Sequence, residues 1–549
     1  MSRIPAADQP PTAGEPPAAA AAVLNDTLAV TGGSISGAFA DDAKSVRVYK
    51  GIPFAAPPVG ELRWKAPAPV IPWEGVKACI DFGPWCPQPQ PVLGKVEGKQ
   101  SEDCLYLNVW TGAKTTAEKR PVMVWIHGGG HTTGSGSSEV YNGTHLAEHG
   151  VVLVTINYRL GPFGFFAHPA LSKESEHGVS GNYGYLDQIA ALAWVKNNIT
   201  QFGGDPGNVT IFGESAGSAS VSRLMIIPQA QGLFHKVIAE SGGPFGGNRH
   251  LKETAGNLAS MESVGEGLAK KLGCDKAEDT NTLKALRAVQ ADDLLKESDP
   301  AQGLFGKGTK FGPVVDGWLI PADPGKLWLE GKQAQVPLLT GSNEDEGTIF
   351  LQQLPVKTTL GYRLALKTYM PGDADAMYKL FPAKSNDDVK NQLNKVVAVG
   401  AFITPAREMA RCMEKIKQPC YLYHFSRVPT MGTVKTYGAF HSAEIFYVFG
   451  NFVRPVKVEP EDTALSLEMM EFWVQFARTG NPNPKVIKEG AAAWPIYAAD
   501  KDEYLELGDK VEVKSALYKD ACDLVQKRLH TVEEAGEVPG ADEAQPAAP

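Results

Sequence analysis

Short, nearly continuous apolar runs recur along the chain, and segments with helical periodicity separate them. The runs are Leu105 to Trp110, Val122 to His127, Val151 to Asn157, Val209 to Phe212, Val237 to Glu240 and Val336 to Thr340. Runs of this length and composition are typical of strands buried on both faces of a sheet. Residues Leu186 to Asn198 follow a helical period, and Gly203 and Gly204 end that helix. Strands that alternate with helices predict an α/β fold with a mostly parallel central sheet flanked by helices.

The two ends of the chain differ in composition from its middle. Residues 1–24 are rich in Ala and Pro and lack the basic segment and apolar core of a secretory signal. Residues 533–549 are rich in Ala, Pro, Gly and acidic residues. We therefore predict a flexible leader over 1–24, one folded domain over 25–532 and a disordered tail over 533–549. Ser34 to Phe39 and Ser45 to Tyr49 flank a polar turn and predict a small antiparallel hairpin at the start of the domain.

Charge and hydropathy exclude several classes of partner. Lys and Arg number 53 and Asp and Glu number 62, so the net charge is −9, which argues against a nucleic-acid scaffold or a binder of anionic membranes. The apolar runs fall well short of the roughly 20 residues that a membrane span needs. We therefore expect no nucleic-acid partner and no membrane span, and composition does not address the oligomeric state.

Gly213-Glu214-Ser215-Ala216-Gly217 fits the pattern G-x-S-x-G and lies directly between a predicted strand and a predicted helix. In that context the pattern forms a strained turn that projects the serine hydroxyl from the sheet edge, and the flanking glycines let helix and strand approach. Ser215 would lie at a helix N-terminus, where the dipole favours a developing negative charge. The pentapeptide therefore predicts Ser215 as a nucleophile.

A serine nucleophile needs a general base, and the base needs an acid that fixes its tautomer. His441 lies in a loop after the strand-like run Tyr421 to Phe425 and suits the chain order serine, acid, histidine. The candidate acid is Glu346, which closes the strand Val336 to Thr340. Glu344 and Asp345 are rivals in the same loop, and spacing does not choose among the three.

The tetrahedral intermediate of acyl transfer carries an oxyanion that needs backbone N–H donors. His127-Gly128-Gly129-Gly130 directly follows a predicted strand, as in the HGGG type of oxyanion hole. Gly129 and Gly130, together with Ala216 after the nucleophile, are the predicted donors.

These motifs resemble the type-B carboxylesterase/lipase family, the cholinesterase-like group of α/β-hydrolases. The resemblance runs from about Thr31 to Cys522 and implies the α/β-hydrolase fold and a carboxylesterase that acts on small-molecule esters. Its markers, in the family's order, are Gly51 to Gly60, Ser101 to Val109, Asn157-Tyr158-Arg159, Gly213 to Ser218 and Phe476 to Pro482.

The resemblance also assigns individual residues. It selects Glu346 as the acid and supports His441, which gives the triad Ser215, Glu346 and His441. It implies that Arg63 pairs with Glu102 and Arg159 with Asp187 as structural ion pairs. Glu214, Ser241 and Glu444 resemble the buried residues that support the histidine. Two departures stand out: no aromatic residue lies between Gln88 and Asp103, which argues against a choline ester, and His131 would place a polar group at the pocket wall.

Seven cysteines are an odd number, so at least one thiol is free or paired between chains. The resemblance implies two disulfides, Cys86 with Cys104 and Cys420 with Cys522, and three free thiols, Cys79, Cys274 and Cys412. Disulfides favour an oxidising compartment, so the resemblance implies a secreted or periplasmic protein.

Two competing hypotheses differ in chemistry from the serine esterase. His145-Leu146-Ala147-Glu148-His149 fits the zinc pattern H-x-x-E-H, but we favour a solvated helix, because the serine site is complete without metal. We therefore expect no metal and no cofactor. Some cholinesterase relatives are non-catalytic binding or adhesion proteins, but those typically lose the serine or the histidine, which this chain keeps.

Overall fold

A computed structural model of the protein describes residues 27–535, apart from 91–97, 247, 256–257, 277, 430–436, 454–457 and 487–491. The predicted leader over 1–24 lies outside the described residues. The last helix continues to Ala535, past the predicted domain boundary at 532, and residues 536–549 of the predicted tail lie outside the described part.

Every predicted apolar run overlaps a strand, but the described strands include several that the sequence did not predict. The described strands are β1 Thr27–Val30, β2 Gly33–Ser36, β3 Ala38–Phe39, β4 Arg47–Pro53, β5 Val76–Ala78, β6 Tyr106–Thr111, β7 Arg120–Ile126, β8 Val152–Ile156, β9 Gly204–Glu214, β10 Lys236–Glu240, β11 Arg249–His250, β12 Val314–Val315, β13 Leu338–Asn343, β14 Cys420–Phe425, β15 Glu503–Leu507 and β16 Val511–Ser515.

Within the described ranges, eleven strands form one sheet in the order β16-β15-β14-β13-β10-β9-β7-β8-β6-β4-β3. The strands from β15 to β8 run parallel to one another, and the remaining pairs are antiparallel. This confirms the predicted α/β-hydrolase fold with its mostly parallel sheet. The carboxyl ends of the parallel strands meet at one edge, where this class of sheet places functional groups.

The N-terminal hairpin is present, but its first predicted strand is divided. β3 pairs antiparallel with β4, whereas β2 joins β1 and β5 in a separate small sheet. The division falls at Gly37, where a Cβ atom would lie 2.5 Å from the carbonyl oxygen of Val48. Only glycine lets the chain pass this close to β4 as it moves between the two sheets.

The helices cover both faces of the central sheet. They are α1 Thr144–Glu148, α2 Gly161–Phe165, α3 Pro169–Glu174, α4 Tyr183–Asn198, α5 Ala216–Leu224, α6 Met261–Lys271, α7 Asp279–Ala288, α8 Ala291–Ser298, α9 Pro324–Leu329, α10 Thr359–Tyr369, α11 Ala374–Leu380, α12 Val389–Ala398, α13 Thr404–Lys415, α14 Ile445–Phe449, α15 Pro460–Thr479 and α16 Lys519–Ala535. None of the helices in this described part is both long enough and apolar enough to cross a membrane.

Alternate residues of each inner strand enter different hydrophobic clusters. Val122 and Val124 of β7 pack in one cluster with residues of α4 and α5, and Met123 and Trp125 pack in another with residues of α14 and α15. All four side chains are fully buried. The continuous apolar runs in the sequence therefore have a simple cause, since both faces of these strands are covered.

Candidate active site

Ser215 occupies a sharp turn between β9 and α5. Its backbone angles are φ 57° and ψ −120°, an unfavourable conformation for a residue with a Cβ atom. A Cβ atom on Gly217 would lie 2.0 Å from the carbonyl oxygen of Ile126, and one on Gly213 would lie 2.5 Å from the same oxygen. The two flanking glycines thus let β7, β9 and α5 approach closely and hold the turn.

Glu346 and His441 are brought together from the loops after β13 and β14. His441 Nδ1 lies 2.6 Å from Glu346 Oε2, and the backbone N–H of Asn343 donates to Glu346 Oε1 at 2.8 Å. Glu346 is fully buried and His441 is 3% exposed. Two hydrogen bonds therefore fix the carboxylate that orients the imidazole.

The rival carboxylates in this loop have other partners. Glu344 lies 2.9 Å from Nε2 of His424, and Asp345 accepts hydrogen bonds from the backbone of Ala439 at 2.9 Å and the side chain of Asn394 at 3.0 Å. Of the three acids that the sequence left open, Glu346 is the one in contact with His441.

Glu214 links the serine turn to the histidine. Its Oε1 atom lies 3.1 Å from His441 Nε2 and accepts a hydrogen bond from Ser442 at 2.7 Å. Among the described residues, His441 Nε2 is buried without a hydrogen bond of suitable geometry. The ring atom that faces away from Glu346 is thus available to a hydroxyl group or a substrate.

Burial and neighbouring charges shift the pKa values of His441 and Glu214 in opposite directions. Burial lowers the pKa of His441, but the carboxylates Glu214 and Glu346 more than offset it, so that the pKa lies above its usual range. Burial raises the pKa of Glu214 to about 7, although His441 and Ser442 oppose that shift. A protonated imidazole is therefore stabilised between two carboxyl groups.

The glycine loop after β7 passes directly beside the serine turn. A Cβ atom on Gly128 would lie 3.1 Å from Ser215 Cβ. Gly129 and Gly130 have φ angles of 99° and 65°, which favour glycine, and both are exposed. Nothing lies within 4 Å of a Cβ atom placed on Gly130, so a molecule from outside can approach the loop there.

Further buried carboxyl groups lie behind the histidine. Ser241 donates to Glu444 at 3.3 Å, and the Asn343 side chain also donates to Glu444. Glu240, which the sequence reasoning missed, accepts a hydrogen bond from Trp473 Nε1 at 2.9 Å. Burial raises the pKa of Glu240 to about 8 and that of Glu444 well above its usual range. The sequence signal available for Glu240 was an acid at the end of an apolar strand. In the sheet, Glu240 lies in register with Glu214.

Two aromatic rings pack against the imidazole. The ring centroid of Phe402 lies 4.7 Å from that of His441, and that of Phe350 lies 5.1 Å from it. Neither residue was predicted from the sequence. His131, expected at the pocket wall, is instead buried, with Nε2 3.0 Å from Ser220 Oγ of α5.

Both predicted ion pairs are present in the structure, whereas the two predicted disulfides stay predictions. Arg63 contacts Glu102, and Arg159 contacts Asp187. All seven cysteines are buried free thiols. Cys86 and Cys104 are neighbours that share a hydrogen bond, so their side chains need little movement to join. The Cys522 thiol donates instead to the carbonyl oxygen of Leu517, and Cys420 has Cys412 as its neighbouring thiol.

The H-x-x-E-H segment lies on α1 and the residue after it. His145 Nδ1 is 3.2 Å from Glu148 Oε2, and both side chains are nearly half exposed. In the ranges that the structure describes, no three His, Cys, Asp or Glu side chains form a group that could hold a metal ion. The segment has the contacts of a solvated helix.

Comparison with known proteins assigns the chain to a family. The model of the carboxylesterase family matches residues 25–525. The chain is 38% identical over 492 residues to fumonisin B1 esterase of Sphingopyxis macrogoltabida, covering 87% of this chain and 86% of that protein. It is 37% identical to para-nitrobenzyl esterase of Bacillus subtilis (strain 168), covering 86% of this chain and 93% of that protein. A solved structure of PNB esterase matches with a TM-score of 0.76 at 34% identity, covering 91% of this chain and 99% of that one. The chain therefore belongs to the carboxylesterase family of ester-hydrolysing enzymes.

Proposed function

We propose that the protein hydrolyses carboxylic esters through an acyl-enzyme intermediate, with Ser215, His441 and Glu346 as the catalytic triad. The observation that carries the proposal is the 2.6 Å contact between His441 Nδ1 and Glu346 Oε2. Nε2 of the same ring lies 3.1 Å from Glu214 Oε1 and has no hydrogen bond of suitable geometry. A base oriented in this way can accept a proton from a serine hydroxyl.

The reaction then follows from the roles of these groups. His441 Nε2 takes the proton of Ser215, and the serine oxygen bonds to the ester carbonyl carbon. The N–H groups of Gly129, Gly130 and Ala216 stabilise the oxyanion. His441 gives its proton to the leaving alkoxide, and the alcohol departs. Water then loses a proton to His441 and bonds to the acyl carbonyl carbon. The bond between that carbon and the serine oxygen breaks, the serine oxygen takes the proton back from His441, and the acid departs.

The buried residues around the histidine support this cycle. His441 becomes positively charged in each half-reaction, and Glu346 and Glu214 both lie in contact with its ring. Ser241 and Asn343 hold Glu444 behind them. We assign Glu214, Ser241 and Glu444 to holding the histidine and its charge in place.

We infer a small-molecule ester as the substrate. Fumonisin B1 esterase and para-nitrobenzyl esterase, both similar over most of the chain, are named for such esters. A secreted or periplasmic location stays a prediction, and esterase activity measured in culture medium, periplasm and cytoplasm of the native host tests it.

Substitution of Ser215 tests the mechanism. Ser215→Ala should lower kcat by about 10⁴-fold or more and abolish the burst of p-nitrophenol, with unchanged far-UV circular dichroism. Ser515→Ala, at an exposed serine at the end of β16, is the matched control and should keep full activity. Turnover retained by Ser215→Ala would exclude Ser215 as the nucleophile.

A substrate series separates the esterase from the non-catalytic alternative. The wild-type protein should hydrolyse p-nitrophenyl esters with an optimum in acyl length, and an organophosphate should block that activity by labelling Ser215. A folded protein that neither hydrolyses any ester of the series nor takes up the label would favour a binding protein.

A further inference from the structure

The helical segment after Val389 contains a five-residue π-helical turn. Val399–Ile403 joins α12 to α13 without an intervening loop. Pro405, in the first turn of α13, lacks an N–H group, and its ring would clash with the carbonyl oxygen four residues earlier in a regular α-helix. A wider turn relieves that clash by adding one residue, and such turns often occur at functional sites.

This turn places Phe402 against the catalytic histidine. The Phe402 ring is buried, with its centroid 4.7 Å from that of His441 and an interplanar angle of 46°. It also stacks on Phe350 at 6.0 Å with an interplanar angle of 9°. Phe350 is only partly buried, so the pair extends from the imidazole toward the surface.

We propose that Phe402, held by the π-helical turn, is a specificity-determining residue that limits the size of the ester group lying beside His441. The inference rests on the proposed function, because it assumes that the ester carbonyl is attacked at Ser215. A substrate must lie beside the imidazole, since His441 exchanges protons with both the serine and the leaving group. A buried aromatic ring beside His441 excludes large acyl or alcohol groups by steric contact.

The extra residue of the turn decides where the ring points. Each residue of an α-helix turns the side-chain direction by about 100°. If Val399 to Ile403 formed a regular α-helical turn with one residue fewer, the following side chains would be rotated by that angle relative to the preceding helix. Phe402 would then no longer face His441 while α12 kept its packing. The position of the ring thus depends on the backbone irregularity that Pro405 imposes.

Two substitutions of opposite size test the proposal. We would measure kcat/KM for p-nitrophenyl esters of increasing acyl bulk and for acetate esters of increasing alcohol bulk. Phe402→Ala should raise the ratio of bulky to small substrate by roughly tenfold or more in at least one series, and Phe402→Trp should lower it. The series that responds identifies the group beside His441. Phe39→Ala, at an exposed aromatic residue of β3, is the matched control and should leave both ratios unchanged.

Several outcomes would overturn the proposal. An unchanged ratio of kcat/KM for bulky and small esters in both series would contradict it. An equal loss of kcat/KM for all esters would contradict it too, because it would indicate only a packing role for Phe402. If Phe402→Ala folds poorly by its melting temperature, Phe402→Leu takes its place and should shift the ratio in the same direction.

Organophosphate labelling separates this inference from the proposed function. Inactivators with small and with large alkyl groups report on the pocket without turnover, and the rate for the large one should rise in Phe402→Ala. If the wild-type protein takes up no label, both the proposed function and the role of Phe402 are contradicted. If Ser215 is labelled but Phe402→Ala does not change the size preference, only the role of Phe402 is contradicted.

Discussion

Glu214 precedes Ser215, the proposed nucleophile, in the chain and contacts His441, the proposed base. Its carboxyl group is buried and accepts a hydrogen bond from Ser442, whose own φ of 77° is held in the left-handed region. The same oxygen lies 3.1 Å from His441 Nε2. A carboxylate here stabilises the imidazolium, and it thereby also determines the pH at which His441 loses its proton and can act as a base.

Glu214→Gln should shift the acid limb of the pH profile to lower pH. The charge of Glu214 is the largest cause that raises the pKa of His441, so a neutral amide lowers that pKa. His441 must be unprotonated to act as a base, and a lower pKa leaves it active in more acidic solution. The measurement is kcat/KM for p-nitrophenyl acetate as a function of pH.

Glu240→Gln is the matched control for that prediction. Glu240 is also a buried glutamate at the end of a strand, but its side chain bonds to Trp473, and its charge is not among the causes that raise the pKa of His441. An amide oxygen can accept the hydrogen bond from Trp473 as the carboxyl group does. The acid limb should stay in place, and an equal shift in both variants would mean that charge at Glu214 is not the cause.

Local motifs predicted the residues whose chemistry is tied to a turn or a strand end. Ser215 and the glycine loop are of this kind, because their backbone conformation demands glycine at fixed positions. Glu346 could be chosen only through the family resemblance, since three acids share its loop, and in the structure it is the one of the three that contacts His441. Phe402 carried no signal, because a phenylalanine in a helical pattern is indistinguishable from an ordinary core residue until the π-helical turn directs its ring.

At the scale of elements, a buried ion pair joins α4 to the end of β8. Asp187 of α4 accepts hydrogen bonds from the Arg159 side chain at 2.7 and 2.8 Å and from the Arg159 backbone at 2.9 Å. The two side chains are 0% and 2% exposed. Removal of one partner leaves an uncompensated charge in the interior, which costs far more than the net value of the pair.

Asp187→Ala should lower the free energy of unfolding by about 3 to 5 kcal/mol, measured by urea denaturation. The double variant Arg159→Met with Asp187→Leu should recover much of that loss, because it leaves no buried charge. Asp279→Ala breaks the exposed pair between Asp279 and Lys173 and should change the stability little. Equal losses in the buried and exposed pairs would contradict the argument.

The elements that the sequence predicted are those with a strong burial pattern. β7 and β8 are largely apolar because helices cover both faces of the sheet. The terminal hairpin of β15 and β16 was not predicted, because most side chains of β16 are exposed and polar. The break between β2 and β3 depends on contact with Val48, which no local pattern records.

At the scale of the whole molecule, the candidate site needs four parallel strands to meet at one edge. The glycine loop follows β7, Ser215 follows β9, Glu346 follows β13 and His441 follows β14. The Glu346 and His441 side chains that touch are 95 residues apart in the chain. Only the folded sheet brings these groups together. A disulfide that stabilises the fold would therefore also stabilise the site.

The thiol count of the unfolded protein should distinguish the two predicted disulfides. Native protein should react with Ellman's reagent slowly or not at all, because every cysteine is buried, and burial raises the pKa of Cys79 and of Cys522 to about 11.

Reduced protein unfolded in denaturant should show all seven thiols. When the reduced, unfolded protein is refolded in a buffer of reduced and oxidised glutathione and then unfolded again, we expect two fewer thiols, because only Cys86 and Cys104 are shown in direct contact through their thiols. A loss of four would mean that Cys420 and Cys522 also join, which requires Cys522 to leave its hydrogen bond with Leu517. No loss would mean that the Cys86 and Cys104 sulfur atoms cannot reach bonding distance in the native fold.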